Sequence, residues 1–225
     1  MRRMSPACAR CPYLLSKRLC NIKDGKGLSS CPTLNKRELL IESLRSYENS
    51  ETLKFAQKAS IQEAEGYQRL EGENVKPVKP RILEIAEFAD KMGYKRLGLI
   101  FCEGLAGEAK TVDNFYNSRG FEMVSIVCKA GRTPKEAIGI QDDQKILPGT
   151  FETMCNPIYQ AYIVNEEKVD FNILMGLCVG HDSLVIQHLT APVTILAVKD
   201  RLMGHNPLGA VYNINSYYAF LTKSG

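Results

Sequence analysis

Three stretches of this chain share a form that few folds accommodate. Leu97–Cys102 (LGLIFC) and Glu122–Cys128 (EMVSIVC) are short apolar runs that end in a cysteine, and 171–177 (FNILMGL), within Asp170–Asp182, is one that Cys178 directly follows. Such runs, bounded by turn signals, read as strands buried on both faces, which is the environment of a parallel sheet. A fourth run spans 193–198. Helical periodicity fills the gaps: Arg81–Met92, stopped by Gly93, then about 107–118, 156–167 and 182–189. A further helix is expected from 134, where Thr133-Pro134-Lys135-Glu136 fits a capping box with proline at the first helical position. An irregular stretch, 139–153, follows it.

Strands and helices alternating at this spacing predict an α/β fold with a mainly parallel sheet and right-handed crossovers. The expected architecture is a three-layer, Rossmann-like domain over 81–225. It is preceded by a cysteine-rich metal-binding loop module, 1–35, and a helical linker region, 36–80. The linker region holds two helices, Asn35–Tyr47 and Ser50–Leu70, the second with Ser50 as N-cap. Val75–Pro80 (VKPVKP) reads as an extended connection. The tail, Tyr212–Gly225, carries no clear period.

Hydrophobic residues make up 44% of the 225 residues, enough for a core that does not depend on disulfides. No apolar run approaches the roughly 18 residues of a membrane helix, and the N-terminal MRRMSPACARCPY lacks the apolar stretch of a secretory signal. A cytoplasmic, reducing location is expected, where eight cysteines read as metal ligands or reactive thiols. The net charge of +4 is uneven, because residues 1–37 hold nine Lys or Arg against Asp24 alone. A basic arm of this kind suits nucleic acid or a negatively charged thiolate centre. With Tyr13 as its lone aromatic residue, it lacks the stacking surface of a nucleic-acid binder, so that partner is disfavoured.

Four cysteines fall within the first module as Cys8-x2-Cys11-x8-Cys20-x10-Cys31. The segment has no apolar period and would stay disordered without a cross-link. Four thiolates around one metal supply one, since structural zinc contributes on the order of 10–16 kcal/mol in small modules. Spacing leaves the metal open. Zinc ribbons favour two close pairs, and Cys31-Pro32 matches the Cys-Pro ending of some iron–sulfur motifs.

The remaining four cysteines are distant in sequence but close in topology. In a parallel sheet all strand C-termini reach one edge, where ligands bind. Cys102, Cys128 and Cys178 end three strands there, and Cys155 precedes the helix opened by Asn156-Pro157. Thiolates assembled from distant strands favour an iron–sulfur cluster, 4Fe-4S above all, over zinc, which usually takes local ligands. His181, His205 and Lys129 are the candidate proton carriers and substrate-charge partners on this edge, together with Asp182 and Lys199-Asp200-Arg201. Lys129 and Arg132 suit an anionic substrate. Gly104 and Gly107, in Glu103-Gly-Leu-Ala-Gly107, resemble a phosphate-cradling loop without matching GxGxxG or the Walker pattern.

The stretches CNPIYQAYIVN, NILMGLCVGHD and APVTILAVKDRLMGHNP, with the early cysteines and CKAGRTPKE, resemble a family of cysteine-rich proteins from anaerobic bacteria and archaea, a domain of unknown function labelled only as metal-binding. The resemblance spans nearly the whole chain. It implies a metal, and so supports thiolate roles for Cys8, Cys11, Cys20 and Cys31 and for Cys102, Cys128, Cys155 and Cys178. It implies neither substrate nor reaction.

The expectation is an iron–sulfur protein acting in electron transfer or in reductive chemistry on a small anionic molecule, as an oxidoreductase or lyase. Its partners would be that molecule or a redox protein, with a homodimer left open. Three rivals remain: a zinc protein with structural rim cysteines, a regulatory module using Arg2, Arg3 and Lys17 on nucleic acid, and a thiol enzyme with Cys178 activated by His181.

Overall fold

The computed structural model describes residues 5–72 and 74–222 and divides into two compact units, 1–60 and 61–225. In the first unit the chain winds through two short 3-10 turns, Cys8–Arg10 and Leu15–Lys17. Backbone bonds then close a loop: Lys26 N donates to Lys17 O at 2.8 Å and Leu19 N to Lys26 O at 3.0 Å. Gly25 sits so close to Arg18 that a Cβ would lie 2.3 Å from its carbonyl carbon, so no side chain fits there. Helix α1 (Pro32–Asn35) leads into α2 (Arg37–Arg45) and α3 (Ser50–Glu65), the last crossing the boundary between units.

The single helix expected over Asn35–Tyr47 is broken at Lys36, whose backbone leaves the helical region (φ −128, ψ 36). The cap of α3 is Asn49 and not Ser50: Asn49 Oδ1 accepts from Thr52 N at 3.0 Å. None of the described residues of 1–60 is buried.

In the second unit α3 stops at Glu65, short of the expected Leu70. Tyr67–Arg69 (β1) pairs antiparallel with Val75–Pro77 (β2), where an extended connection was expected. The ribbon gives backbone groups partners that a bare linker leaves to water; Leu70 N donates to Asn74 O at 3.0 Å. Helix α4 (Arg81–Met92) ends as its sequence dictates: Gly93 takes φ 81, and Tyr94 N reaches back to Ala89 O at 3.0 Å.

Four parallel strands follow, with three helices among them: β3 (Arg96–Phe101), α5 (Ala106–Ser118), β4 (Glu122–Val127), α6 (Pro157–Glu166), β5 (Phe171–Met175), α7 (His181–His188) and β6 (Val193–Ala197). Their order in the sheet is β4-β3-β5-β6. All five residues of β5 are buried, as a central parallel strand requires. Asp170 fixes its start, accepting from Lys95 N and Arg96 N at 2.7 and 2.9 Å and so tying β5 to the base of β3. Helix α5 meets α4, with Tyr116 OH donating to Ile82 O at 3.2 Å; α6 meets α7, with Asn165 Nδ2 donating to His188 O at 2.7 Å. The tail adds α8 (Leu208–Tyr212).

The helix expected from 134 is not formed. Lys135–Ile138 makes one 3-10 turn that ends at Gly139 (φ 82), and no side chain caps it. Pro134 is held instead in an antiparallel bridge with Thr153, which closes 135–152 as a loop. Among the described residues, no helix is long and apolar enough to cross a membrane.

Candidate thiolate site at the sheet rim

The chain's path through the sheet creates a switch point. From β3 it moves outward to β4, then returns past β3 to β5 and on to β6. In such sheets the crevice for ligands opens beyond the carboxyl ends of the two strands where direction reverses, here β3 and β5. Cys102 follows β3. Cys178 follows β5 after a turn at Gly176 (φ 68), where a Cβ would lie 2.1 Å from Leu105 Cδ1. Cys128 follows β4, its amide donating to Phe101 O at 2.9 Å, and its carbonyl accepts from Asn156 N at 2.8 Å. That last bond brings Cys155 beside it, with the two Sγ atoms 3.7 Å apart. Helix α6 then starts on its expected cap, Asn156 Oδ1 accepting from Tyr159 N at 3.0 Å.

All four cysteines line one cavity of about 460 Å³. Its wall also includes Glu103, Gly104, Lys129, Lys135, His181, Lys199 and Arg201, with an apolar side of Ile138, Ile140, Ile146 and Met154. Gln160 supports the rim from below. Fully buried in α6, its Nε2 donates to Phe101 O and Ile126 O at 3.2 and 2.9 Å, joining the ends of β3 and β4. Nothing in the local sequence marks that role. The apolar side was equally hidden, because loop 135–152 has no period to read.

The thiols differ in character. Cys128 is buried and Cys155 half-buried. The hydrogen bond between them pushes the Cys128 thiol up, and its burial adds to this; the same bond lowers Cys155 to about 7, with the Lys129 charge helping against partial burial. The pair is thus unequal, with Cys155 the more acidic thiol. Cys178 Sγ accepts from Arg201 at 3.0 Å, and Glu103 N donates to Cys128 Sγ at 3.3 Å.

The other expected site residues divide between the lining and its surroundings. Lys129 lines the cavity while its Nζ donates to Thr153 O. His205, in the left-handed region (φ 64), is outside the lining, and its Nδ1 accepts from Asp200 N at 3.2 Å. Arg132 stacks 5.4 Å from the Phe151 ring, and Gly107 is inside α5, away from the lining. Asp182 does not cap α7, whose N-cap is Gly180; it accepts from Gly180 N and Ser183 N at 3.0 and 2.8 Å.

Cys8, Cys11, Cys20 and Cys31 line a second, smaller cavity of about 70 Å³ in the first unit. A Cβ on Gly27 would stand 3.1 Å from Cys31 Sγ. The Cys31 thiol is lowered chiefly by a hydrogen bond from the Thr33 side chain. Arg2 and Arg3 lie outside the described residues; Lys17 ends a 3-10 turn. All eight cysteines are free thiols. Among the described residues, no three His, Cys, Asp or Glu side chains stand as a ready-made metal-ion group.

Residues 31–196 match a family described as "Protein of unknown function (DUF1847)". The chain belongs to the DUF1847 family. The match takes in Cys31 and the four rim cysteines and ends before Lys199. The chain is also similar to an uncharacterized protein, MJ0455, of Methanocaldococcus jannaschii. The two are 39% identical over 183 residues, which cover 81% of this chain and 87% of that protein. Neither description names a metal, a substrate or a reaction.

Proposed function

We propose that this DUF1847 protein is a metal-binding protein with two thiolate centres, one in the N-terminal module and one at the sheet rim, and that the rim centre is an iron–sulfur cluster facing a small-molecule site. The observation that carries the reading is the lining of one switch-point cavity by Cys102, Cys128, Cys155 and Cys178, four residues spread over 76 positions of sequence (178 less 102). The helix contacts support a three-layer, Rossmann-like arrangement, with α4 beside α5 and α6 beside α7.

The donor set fits the group. Four thiols, with Arg201 and a backbone N–H already on two of the sulfurs, are the ligands and sulfur hydrogen bonds that tune such clusters. A bound cluster would supply an electron-transfer centre, or an open iron if only three cysteines hold it. The chain's own groups would hold substrate charge through the cationic side chains of the lining and carry a proton at His181. In the first unit Cys8, Cys11, Cys20 and Cys31 would take zinc or a cluster in a module that has no core of its own.

One distance favours a second reading. Two thiolates on one tetrahedral zinc, with bonds of about 2.3 Å, stand roughly 3.8 Å apart; Cys128 and Cys155 stand at 3.7 Å. Metal and acid-labile sulfide content of anaerobically purified protein separates the two. Iron with matching sulfide and broad absorption near ~400 nm supports the cluster. Colourless protein with zinc and no sulfide sinks it.

A further inference from the structure

The rim cavity is built from two unlike walls, and the contrast specifies a ligand. One wall is cationic. Lys199 follows β6 and is half-buried; a Cβ on Gly104 would lie 3.5 Å from its Nζ, and one on Gly176 would lie 3.9 Å away. A side chain at position 104 would therefore stand against the ammonium. Lys135 is paired with Glu152 and Lys129 is committed to a carbonyl, but among the described residues Lys199 Nζ has no hydrogen-bond or ion-pair partner. Arg201 spends one N–H on Cys178 and lines the same cavity. Its planar fork has further donors suited to a carboxylate. Glu103 is the only carboxylate of the lining among the described residues.

The other part of the lining is apolar. Ile138, Ile140, Ile146 and Met154 come from, or directly follow, the loop closed by the Pro134–Thr153 bridge. Ile138 and Ile146 keep 61% and 79% of their surface in water, an unfavourable state that a hydrocarbon ligand would relieve. A volume of about 460 Å³ lies within the usual range of small-molecule sites, roughly 300–1,000 Å³.

We infer that this cavity binds a small amphiphilic organic acid, its carboxylate held by Lys199 and Arg201 and its hydrocarbon part laid against Ile138, Ile140, Ile146 and Met154. The inference rests on the rim being the functional site and names the class of substrate it takes. An inorganic oxyanion uses only one of the walls and an alcohol only the other.

The test is calorimetric titration of the full-length protein, in its as-purified metal state, with straight-chain carboxylates from acetate to octanoate, 1-hexanol and inorganic phosphate. Carboxylate affinity should rise about threefold to fourfold per added methylene while the chain is being buried. Hexanoate should bind at least tenfold more tightly than 1-hexanol or phosphate. Lys199→Met should weaken hexanoate at least tenfold and leave both 1-hexanol binding and metal content unchanged. Ile146→Ser should weaken hexanoate and spare acetate.

Absence of carboxylate binding, phosphate binding tighter than hexanoate, or unchanged hexanoate affinity in Lys199→Met overturns the inference. So does joint loss of hexanoate and metal in Lys199→Met, since the lysine would then serve the thiolate centre. If the purified protein carries no metal but still binds hexanoate through Lys199, the acid site stands and the metal reading falls.

Discussion

The two groups of four cysteines reach a cavity by opposite routes. Cys8 to Cys31 are brought together by short loops, with no buried residue among those described in 1–60. Cys102 to Cys178 are placed by a sheet whose central strand is wholly buried, and Ile100 and Leu174 of that sheet pack with Val164 and Val185 in one core. If both groups hold metal, as proposed, the ligands would make the structure in the first unit, whereas in the second the structure would make the ligand site. Stability should therefore depend on metal in one unit and on apolar packing in the other.

The largest effect should come from stripping metal. Chelation removes on the order of 10–16 kcal/mol from a small structural site. Amide exchange should show loss of protection over 8–35 while β3 and β5 stay protected. A first unit that keeps its protection without metal breaks the comparison.

Next in size is the core. Leu174→Ala removes a fully buried side chain beneath the rim and should cost about 2–5 kcal/mol in denaturant unfolding of the second unit. The metal proposed for Cys8, Cys11, Cys20 and Cys31 should remain. If both centres are lost together, the two units do not stand on separate footings.

A smaller effect sharpens the link between packing and site. Gln160→Leu leaves the carbonyls of Phe101 and Ile126 without their side-chain donor, a loss of about 1–3 kcal/mol. Thiol labelling should then become faster at Cys128, whose strand end is no longer pinned. Unchanged labelling would remove Gln160 from the account.

The smallest effect concerns the loop that forms the apolar wall. The Lys135 ammonium, through its hydrogen bond, holds the Glu152 carboxyl below its ordinary value. A depressed carboxyl contributes stability that is present above the unfolded value, about 4.3 for Glu, and lost as pH falls through the lower folded value. Exchange protection of 138–147 should be steady at neutral pH and weaken only in that acid window. Glu152→Gln should weaken it above that window, match the wild type below it, and leave only the part of the acid step that belongs to Glu136 and Asp142, whose carboxyls Lys145 holds down; an undiminished step assigns it to those two groups.

Much of the sheet was legible because its signals are local. LGLIFC, EMVSIVC and FNILM form strands within a residue or two of the expected limits, Gly93 ends its helix, and Asn156-Pro157 begins one. What sequence could not carry was long-range pairing. The strand order β4-β3-β5-β6 decides that Cys102 and Cys178 flank the switch point, and no local pattern encodes it. The Pro134–Thr153 bridge outweighed a plausible capping box through a partner distant in sequence, and the β1–β2 ribbon replaced a linker by pairing two neighbouring segments without the apolar alternation that marks a strand. His205 and Arg132 looked like site residues by proximity in sequence, yet each is engaged locally.

The central claim, two thiolate centres held independently, is tested most directly by metal and sulfide analysis of anaerobically purified wild type beside Cys178→Ala and Cys11→Ala. The account predicts that Cys178→Ala loses the rim centre and keeps the N-terminal one, and that Cys11→Ala does the reverse. Full metal content in Cys178→Ala, or loss of all metal from either variant, would contradict it.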